Sequence, residues 1–308
     1  MSIPKKLFKY RSFNIRTLSS LCRDTLYFSH PAAFNDPLDC HPTINCDSTN
    51  EELQRLLAFF VGKRVTSKMY VDLCKARITG DAAKAYANKQ AATEAQRILF
   101  EVADKSTDCE YGTSVEENES WILIQAIESE IRQWYERGIC CFSTSYSNPL
   151  LWSHYGDQHK GLCIGYTTER DPVPELKKTV YGGSRSINSS TLCEAFLNEN
   201  GSAAAEVDRD VLLRKAKGWK YESEWRLIGQ QGLQTSPLRL AEVTFGFRCT
   251  GAVKYAVVQA LDGRDVEVTF YEMYDKRNSF RLSRRRVEVD ELKTCFPVTA
   301  RSAVEMGL

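Results

Sequence analysis

Long apolar runs are missing: no stretch of eighteen consecutive apolar residues occurs, so no segment has the length of a membrane-spanning helix. The N-terminal MSIPKKLFKYRSF lacks the apolar core of a secretory signal, and a soluble cytoplasmic protein with no membrane partner is expected. Histidine is scarce, with four residues, which leaves little material for a metal cluster or a Ser-His-Asp site. Neither charge sign is in excess: 41 Lys and Arg face 40 Asp and Glu, a net charge of +1. A global pull toward nucleic acid or membrane is thereby excluded, and any such attraction must be local. Repeated C-x-x-C pairs are also absent. The eleven cysteines are scattered, with only Cys140 and Cys141 adjacent, which favours reduced thiols over disulfides. Cys40, His41 and Cys46 are ligand types, but the DCH adjacency is poor zinc geometry and no second pair stands at finger spacing, so no metal is expected.

What the chain does hold is an ordinary globular composition, 43% hydrophobic and 26% charged over 308 residues. One elaborated domain, 1–308, is expected. KLFKYRS reads as a strand, the following stretch as a short helix, TLYFS as a second strand, and Pro31, Asn35, Asp36 and Pro37 punctuate a loop. From 50 to 137 the period becomes helical, with Ile124, Ile127, Ile131 and Trp134 on one stripe, and a helical insertion is predicted there. Strand chemistry returns in GICCFSTS and KGLCIGY, and after a Gly/Ser-rich break and a further helix in EWRLIG, LRLAEVTFG, RDVEVTFYEMY and SFRLSRRRVEV. The fold class is therefore α+β, a mostly antiparallel twisted sheet interrupted by helices.

Three short features carry candidate chemistry: Tyr10-Arg11-Ser12 on the first strand, Ser143-Thr144-Ser145 ending a central one, and YESEWRLI, which sets Glu222 and Glu224 before another. Each alone is common. Together with LYFSHPAAFNDPLDC, WSHYG, KGLCIGY and VTFG they resemble an uncharacterised bacterial family of domains of unknown function, number 2971, over nearly the whole chain outside the helical insertion. The layout is similar to that of the ADP-ribosyltransferase superfamily. In its arginine-type branch an Arg on the first strand, a Ser-Thr-Ser on a later strand and a Glu-x-Glu before another occur in this order.

That resemblance implies an enzyme that consumes NAD as a substrate, either transferring ADP-ribose to a protein or nucleic acid or hydrolysing NAD. Breaking the nicotinamide–ribose bond passes through an oxocarbenium-like state. A carboxylate bound to the ribose gains strength as that charge develops, and Glu224 is assigned this part. Glu222 is assigned the general base, and residues two apart on an extended segment would face one cleft. Arg11 would grip the diphosphate or ribose with its planar fork. Ser143 would brace the ribose or orient the glutamate, and Ser145 and Ser12 would support the site. Tyr10, Tyr27, Phe28 and Trp152 are the candidate aromatics for stacking on nicotinamide.

Simpler readings stand beside these. Arg11 equally suits an ion pair with Asp36 or Asp39, Glu224 one with Arg226, and Ser143 to Ser145 a turn before Asn148-Pro149. His154 reads as a structural histidine. The basic run KRNSFRLSRRRV supplies Lys276, Arg277, Arg281, Arg284, Arg285 and Arg286, a solvated edge or, with Lys5, Lys6 and Lys9, a phosphate-binding patch. A non-catalytic nucleic-acid-binding or sensing module is therefore the alternative. A Mg²⁺ nuclease using Glu222, Glu224 and Asp36 gains little from the carboxylate spacing. The resemblance further suggests a bacterial toxin or phage-defence effector, with an antitoxin or regulatory partner docking on the helical insertion.

Overall fold

A computed structural model describes residues 3–108 and 114–300. In chain order these form β1 (Lys6–Arg11), α1 (Ile15–Arg23), β2 (Thr25–Phe28), β3 (Thr43–Asn45), α2 (Asn50–Lys75), α3 (Asp81–Ser106) and α4 (Val115–Trp134). Next come β4 (Gly138–Ser143), α5 (Pro149–His154), β5 (Leu162–Thr167), β6 (Leu176–Lys178), β7 (Val180–Tyr181), β8 (Ser186–Asn188), α6 (Ser189–Phe196) and α7 (Gly201–Leu212). The remainder is β9 (Arg214–Lys215), β10 (Glu224–Gly229), β11 (Gly232–Thr235), β12 (Arg239–Phe245), α8 (Gly251–Ala260), β13 (Thr269–Asp275), β14 (Leu282–Arg286) and α9 (Val289–Cys295).

The chain divides into two compact units, the first made of Met1–His30, Arg137–Thr179 and Gly218–Leu308, the second of Pro31–Glu136 and Val180–Lys217. The helices expected over 50–137 form, and they group with 180–217 as a unit of their own. Among the described residues no helix is long and apolar enough to cross a membrane.

The first unit is built on an eight-stranded sheet of order β14-β13-β12-β5-β1-β4-β10-β6. Its pairs are antiparallel except β12 with β13, which run parallel, so the α+β class with a mostly antiparallel sheet is what forms. Side chains alternate between two faces along each strand. On the first face Leu7, Cys140, Phe142, Leu162, Ile164, Tyr166, Trp225 and Leu227 pack with Leu21 of α1, Leu26 and Phe28 of β2 and Val257 of α8. On the second, Phe8, Tyr10, Cys163 and Met273 pack with Leu151 and Trp152 of α5. Both faces of the central strands are covered, which explains why GICCFS shows no clean polar alternation.

In the second unit α2 and α4 both begin with capping boxes: the Thr49 and Ser114 hydroxyls accept from the backbone N–H of Glu52 and Glu117, whose carboxylates accept from the cap backbones in return. Leu53, Leu56, Leu57, Phe60 and Val61 of α2 are buried, as are Ala83, Ala87, Ala91 and Ala95 at four-residue steps on α3. Of the predicted α4 stripe, Ile124, Ile127 and Ile131 are buried, while Trp134 remains 39% exposed and packs its ring against Phe59, Phe60 and Phe196. Arg64 grips the buried Glu130 carboxylate through two bonds of 2.8 Å. Asp39 pairs with Lys215 at 3.4 Å, both side chains almost fully buried.

Gly62 interrupts this packing in mid-helix, and a Cβ built there meets nothing within 4 Å. Glycine inside a helix costs about 1 kcal/mol relative to alanine through backbone entropy. Gly62→Ala is therefore expected to stabilise the protein by about 0.5–1 kcal/mol, read as a higher denaturant midpoint at unchanged slope.

Candidate functional site

The carboxylate pair is positioned by the junction of β4 and β10. Ladder pairing sets Glu224 directly opposite Ser143, and β1 contributes Phe8 opposite Ser143 on the other side. Glu222 ends a 3-10 turn, Lys217–Glu222, and Ser223 takes a left-handed φ of 48° between the two glutamates. The segment is thus not extended, and the two-residue argument for a shared direction does not apply across Ser223. Both carboxylates are nonetheless buried, at 5% and 3% exposure for Glu222 and Glu224.

Ser143 is the link between them. Its hydroxyl donates to the Glu222 carbonyl at 2.6 Å and accepts the Ser145 N–H at 3.0 Å, so it braces the backbone that carries the glutamates. The Ser145 hydroxyl accepts the Ser147 N–H at 3.3 Å, and the Ser145 carbonyl accepts the Tyr10 phenol at 2.8 Å. Asn148 closes the strap: its amide donates to the Tyr221 carbonyl at 2.9 Å, and its side-chain oxygen caps α5, where Pro149 suits the first turn. The turn expected before Asn148-Pro149 and the contact with the Glu222 backbone are therefore two parts of one device.

Both carboxylates have partners. Tyr155 donates its phenol to Glu222 Oε1 at 2.8 Å. Arg226, wholly buried, meets Glu224 through Nε at 2.9 Å and Nη2 at 3.2 Å, which is the bidentate geometry that only arginine supplies. Cys141 lies on the same face, and burial followed by the Glu224 charge pushes its thiol well up, so it stays protonated. Burial likewise pushes the Tyr10 phenol up and keeps it a neutral donor.

Arg11 does not join this group. It pairs in register with Leu162, a member of the first-face core, two positions after Lys9, whose ammonium lies 5.3 Å from the Phe142 ring centre. With Tyr27, Thr17, Leu21, Leu26 and Tyr166 it lines a hollow on that face, whereas Ser143 and Glu224 sit on the second. Tyr27 is 45% exposed there, and Phe28 is core. Ser12 is exposed between β1 and α1, its carbonyl accepting the Thr17 hydroxyl at 2.9 Å. Trp152 is fully buried, donates to the Tyr146 carbonyl at 2.9 Å and meets Tyr10 edge-on, so both rings are packing elements. The last three arginines of the basic run are matched. Arg284 lies between the Tyr146 and Tyr271 rings and bonds Glu242 and Thr244, Arg285 pairs with Glu272 at 2.6 Å, and Arg286 with Glu267 at 3.6 Å. Among the described residues no group of three or more His, Cys, Asp or Glu is placed to hold a metal.

Sequence reasoning missed Tyr155 and His159. The backbone supplies the signal for the second: Asp157, Gln158 and His159 all take left-handed φ, at 50°, 51° and 69°. Each costs roughly 1–2 kcal/mol relative to the right-handed helix, so the turn is held by its surroundings. His159 stacks on Trp152 at 6.2 Å, and its carbonyl accepts the Arg248 N–H at 2.8 Å. Burial, then the Arg248 charge, lower the pKa of His159, and burial with Arg132 and Arg185 lowers that of His41. A histidine with a folded pKa below its unfolded value of about 6.5 takes up its proton less readily when folded, so its stability contribution is intact above that pH and shrinks as pH falls. The melting temperature is expected to fall between pH 7 and 5, and His159→Gln to flatten that slope in a pH series of thermal melts.

Residues 151–227, which include Trp152, Tyr155, His159, Glu222, Glu224 and Arg226, match the model of a family described as protein of unknown function, DUF2971. No curated protein matches the chain, and no solved structure does.

Proposed function

For this chain, whose residues 151–227 match the model of that family of unknown function, we propose an NAD-consuming activity of ADP-ribosyltransferase type. The reaction cleaves the nicotinamide–ribose bond and passes ADP-ribose to a protein, a nucleic acid or water. The observation that carries the reading is the buried pair Glu222 and Glu224, held beside Ser143 by its hydrogen bond to the Glu222 carbonyl. Removing two carboxylates from water is costly, and such groups persist where stability is not the only constraint. In this scheme Glu224 binds the ribose as positive charge develops on it, and Glu222, steadied by Tyr155, accepts the proton of the attacking nucleophile. Arg11 has no part in it, so the diphosphate must be met by other groups. A toxin or phage-defence setting and a regulatory partner on the α2–α4 helices belong to the same proposal.

A second reading is a non-catalytic sensing module that uses the same pair of glutamates. The observation favouring it is that the Ser143 hydroxyl is committed within the chain and that Glu224 already holds a guanidinium. Incubation with NAD separates the two. Nicotinamide release above the uncatalysed rate supports the enzyme, and its absence with every acceptor class tried, alongside retained NAD binding, supports the module.

A further inference from the structure

Three buried side-chain atoms have no hydrogen-bond partner among the described residues: His159 Nδ1, Arg264 Nε and Thr179 Oγ1. In the first two the same side chain makes other polar contacts, His159 through Nε2 and Arg264 through its terminal nitrogens. Thr179 has only the one polar atom, and the residue is 3% exposed. A buried hydroxyl without a partner is a net loss to folding, and native structures hold few of them.

Its place in the fold gives the hydroxyl a use. β6 pairs with β10 through Trp225 opposite Lys178, and the ladder runs on one residue further, with the Thr179 N–H donating to the Glu224 carbonyl at 3.1 Å. Thr179 therefore stands opposite Glu224, as Ser143 does on the other flank. Trp225 belongs to the first-face core, so alternation sends both Glu224 and Thr179 to the second face. The row Ser143, Glu224, Thr179 crosses that face as hydroxyl, carboxylate, hydroxyl. Ser143 is spent on the backbone of Glu222 and Ser145, and Thr179 is not spent.

We infer that Thr179 is a specificity residue whose hydroxyl bonds a sugar hydroxyl of the ligand held at Glu224, next to the one that the carboxylate takes. A hydroxyl both donates and accepts, so one standing beside a carboxylate fits one edge of a vicinal diol whose other hydroxyl the carboxylate takes. The inference rests on the NAD reading for the identity of that diol, the one on the nicotinamide ribose.

The test combines Thr179→Val, which keeps shape and removes the hydroxyl, with Thr179→Ser, which restores it. Nicotinamide release is measured with NAD and with analogues lacking the 2′- or the 3′-hydroxyl of the nicotinamide ribose. Thr179→Val is expected to raise KM about tenfold with its melting temperature unchanged or higher, and Thr179→Ser to stay near the wild type. One deoxy analogue should cost the wild type about tenfold and the valine variant nothing further, the coupling expected of two groups in contact. A valine variant with wild-type KM for NAD overturns the assignment of Thr179 and leaves the activity standing, as it would if water alone satisfied the hydroxyl. A wild type that neither binds nor cleaves NAD overturns the NAD reading and this inference with it.

Discussion

Glu224→Gln is expected to lower the rate of nicotinamide release by about a hundredfold to a thousandfold with little change in KM. The substitution keeps the size of the side chain and one acceptor for Arg226, and it removes the charge. The ground-state ribose carries almost none of the positive charge that the oxocarbenium-like state develops, so the loss falls on the transition state, at about 3–4 kcal/mol. Glu222→Gln should depend on the acceptor, because a general base assists the nucleophile rather than the departure of nicotinamide. Comparing hydrolysis with transfer to an added acceptor separates the two glutamates. Unchanged release by Glu224→Gln, in protein whose melting temperature confirms folding, would remove Glu224 from the chemistry.

Arg226→Met should destabilise the protein by about 3–5 kcal/mol, which is a large part of the 5–15 kcal/mol that holds a typical domain together. Arg226 is wholly buried and bonds both oxygens of Glu224, so methionine fills part of the volume and leaves the carboxylate in the interior without that guanidinium. Arg226→Lys keeps a charge but loses the fork, and an intermediate loss is expected. Urea unfolding of the three proteins reads the series. A cost below about 1 kcal/mol for the methionine variant would mean that the pair is no better than a solvated one.

The main strands and the long helices were legible in the sequence, because GICCFS, KGLCIGY and EWRLIG are compact β-rich runs and the 50–137 stretch keeps a helical period. The face on which Arg11 lies was not. In KLFKYR both parities carry apolar groups, Leu7 on one and Phe8 with Tyr10 on the other, and both faces of β1 are buried, so alternation could not say which side belonged with Glu224. The Glu222-Ser223-Glu224 geometry was hidden for a related reason. A left-handed serine between two glutamates has no sequence signature, and the spacing argument assumed a strand that starts only at Glu224. Trp152 and Tyr10 looked like stacking rings because aromatic residues beside a site resemble those beneath it; only their burial tells them apart. Thr179 was invisible, since its interest comes from a partner it does not have.

The row across β4, β10 and β6 is specified by pairing alone, and pairing is all-or-none in its consequences. Adding or deleting one residue within β10 would carry Trp225 or Ser223 into the place of Glu224 and turn the carboxylate toward the first face, among Phe142, Trp225 and Leu227. Loops flanking these strands can lengthen without that effect. A nascent or misregistered chain therefore possesses every one of these side chains and none of their arrangement. The proposed chemistry is in this sense locked to correct assembly, and a partly folded molecule is inert.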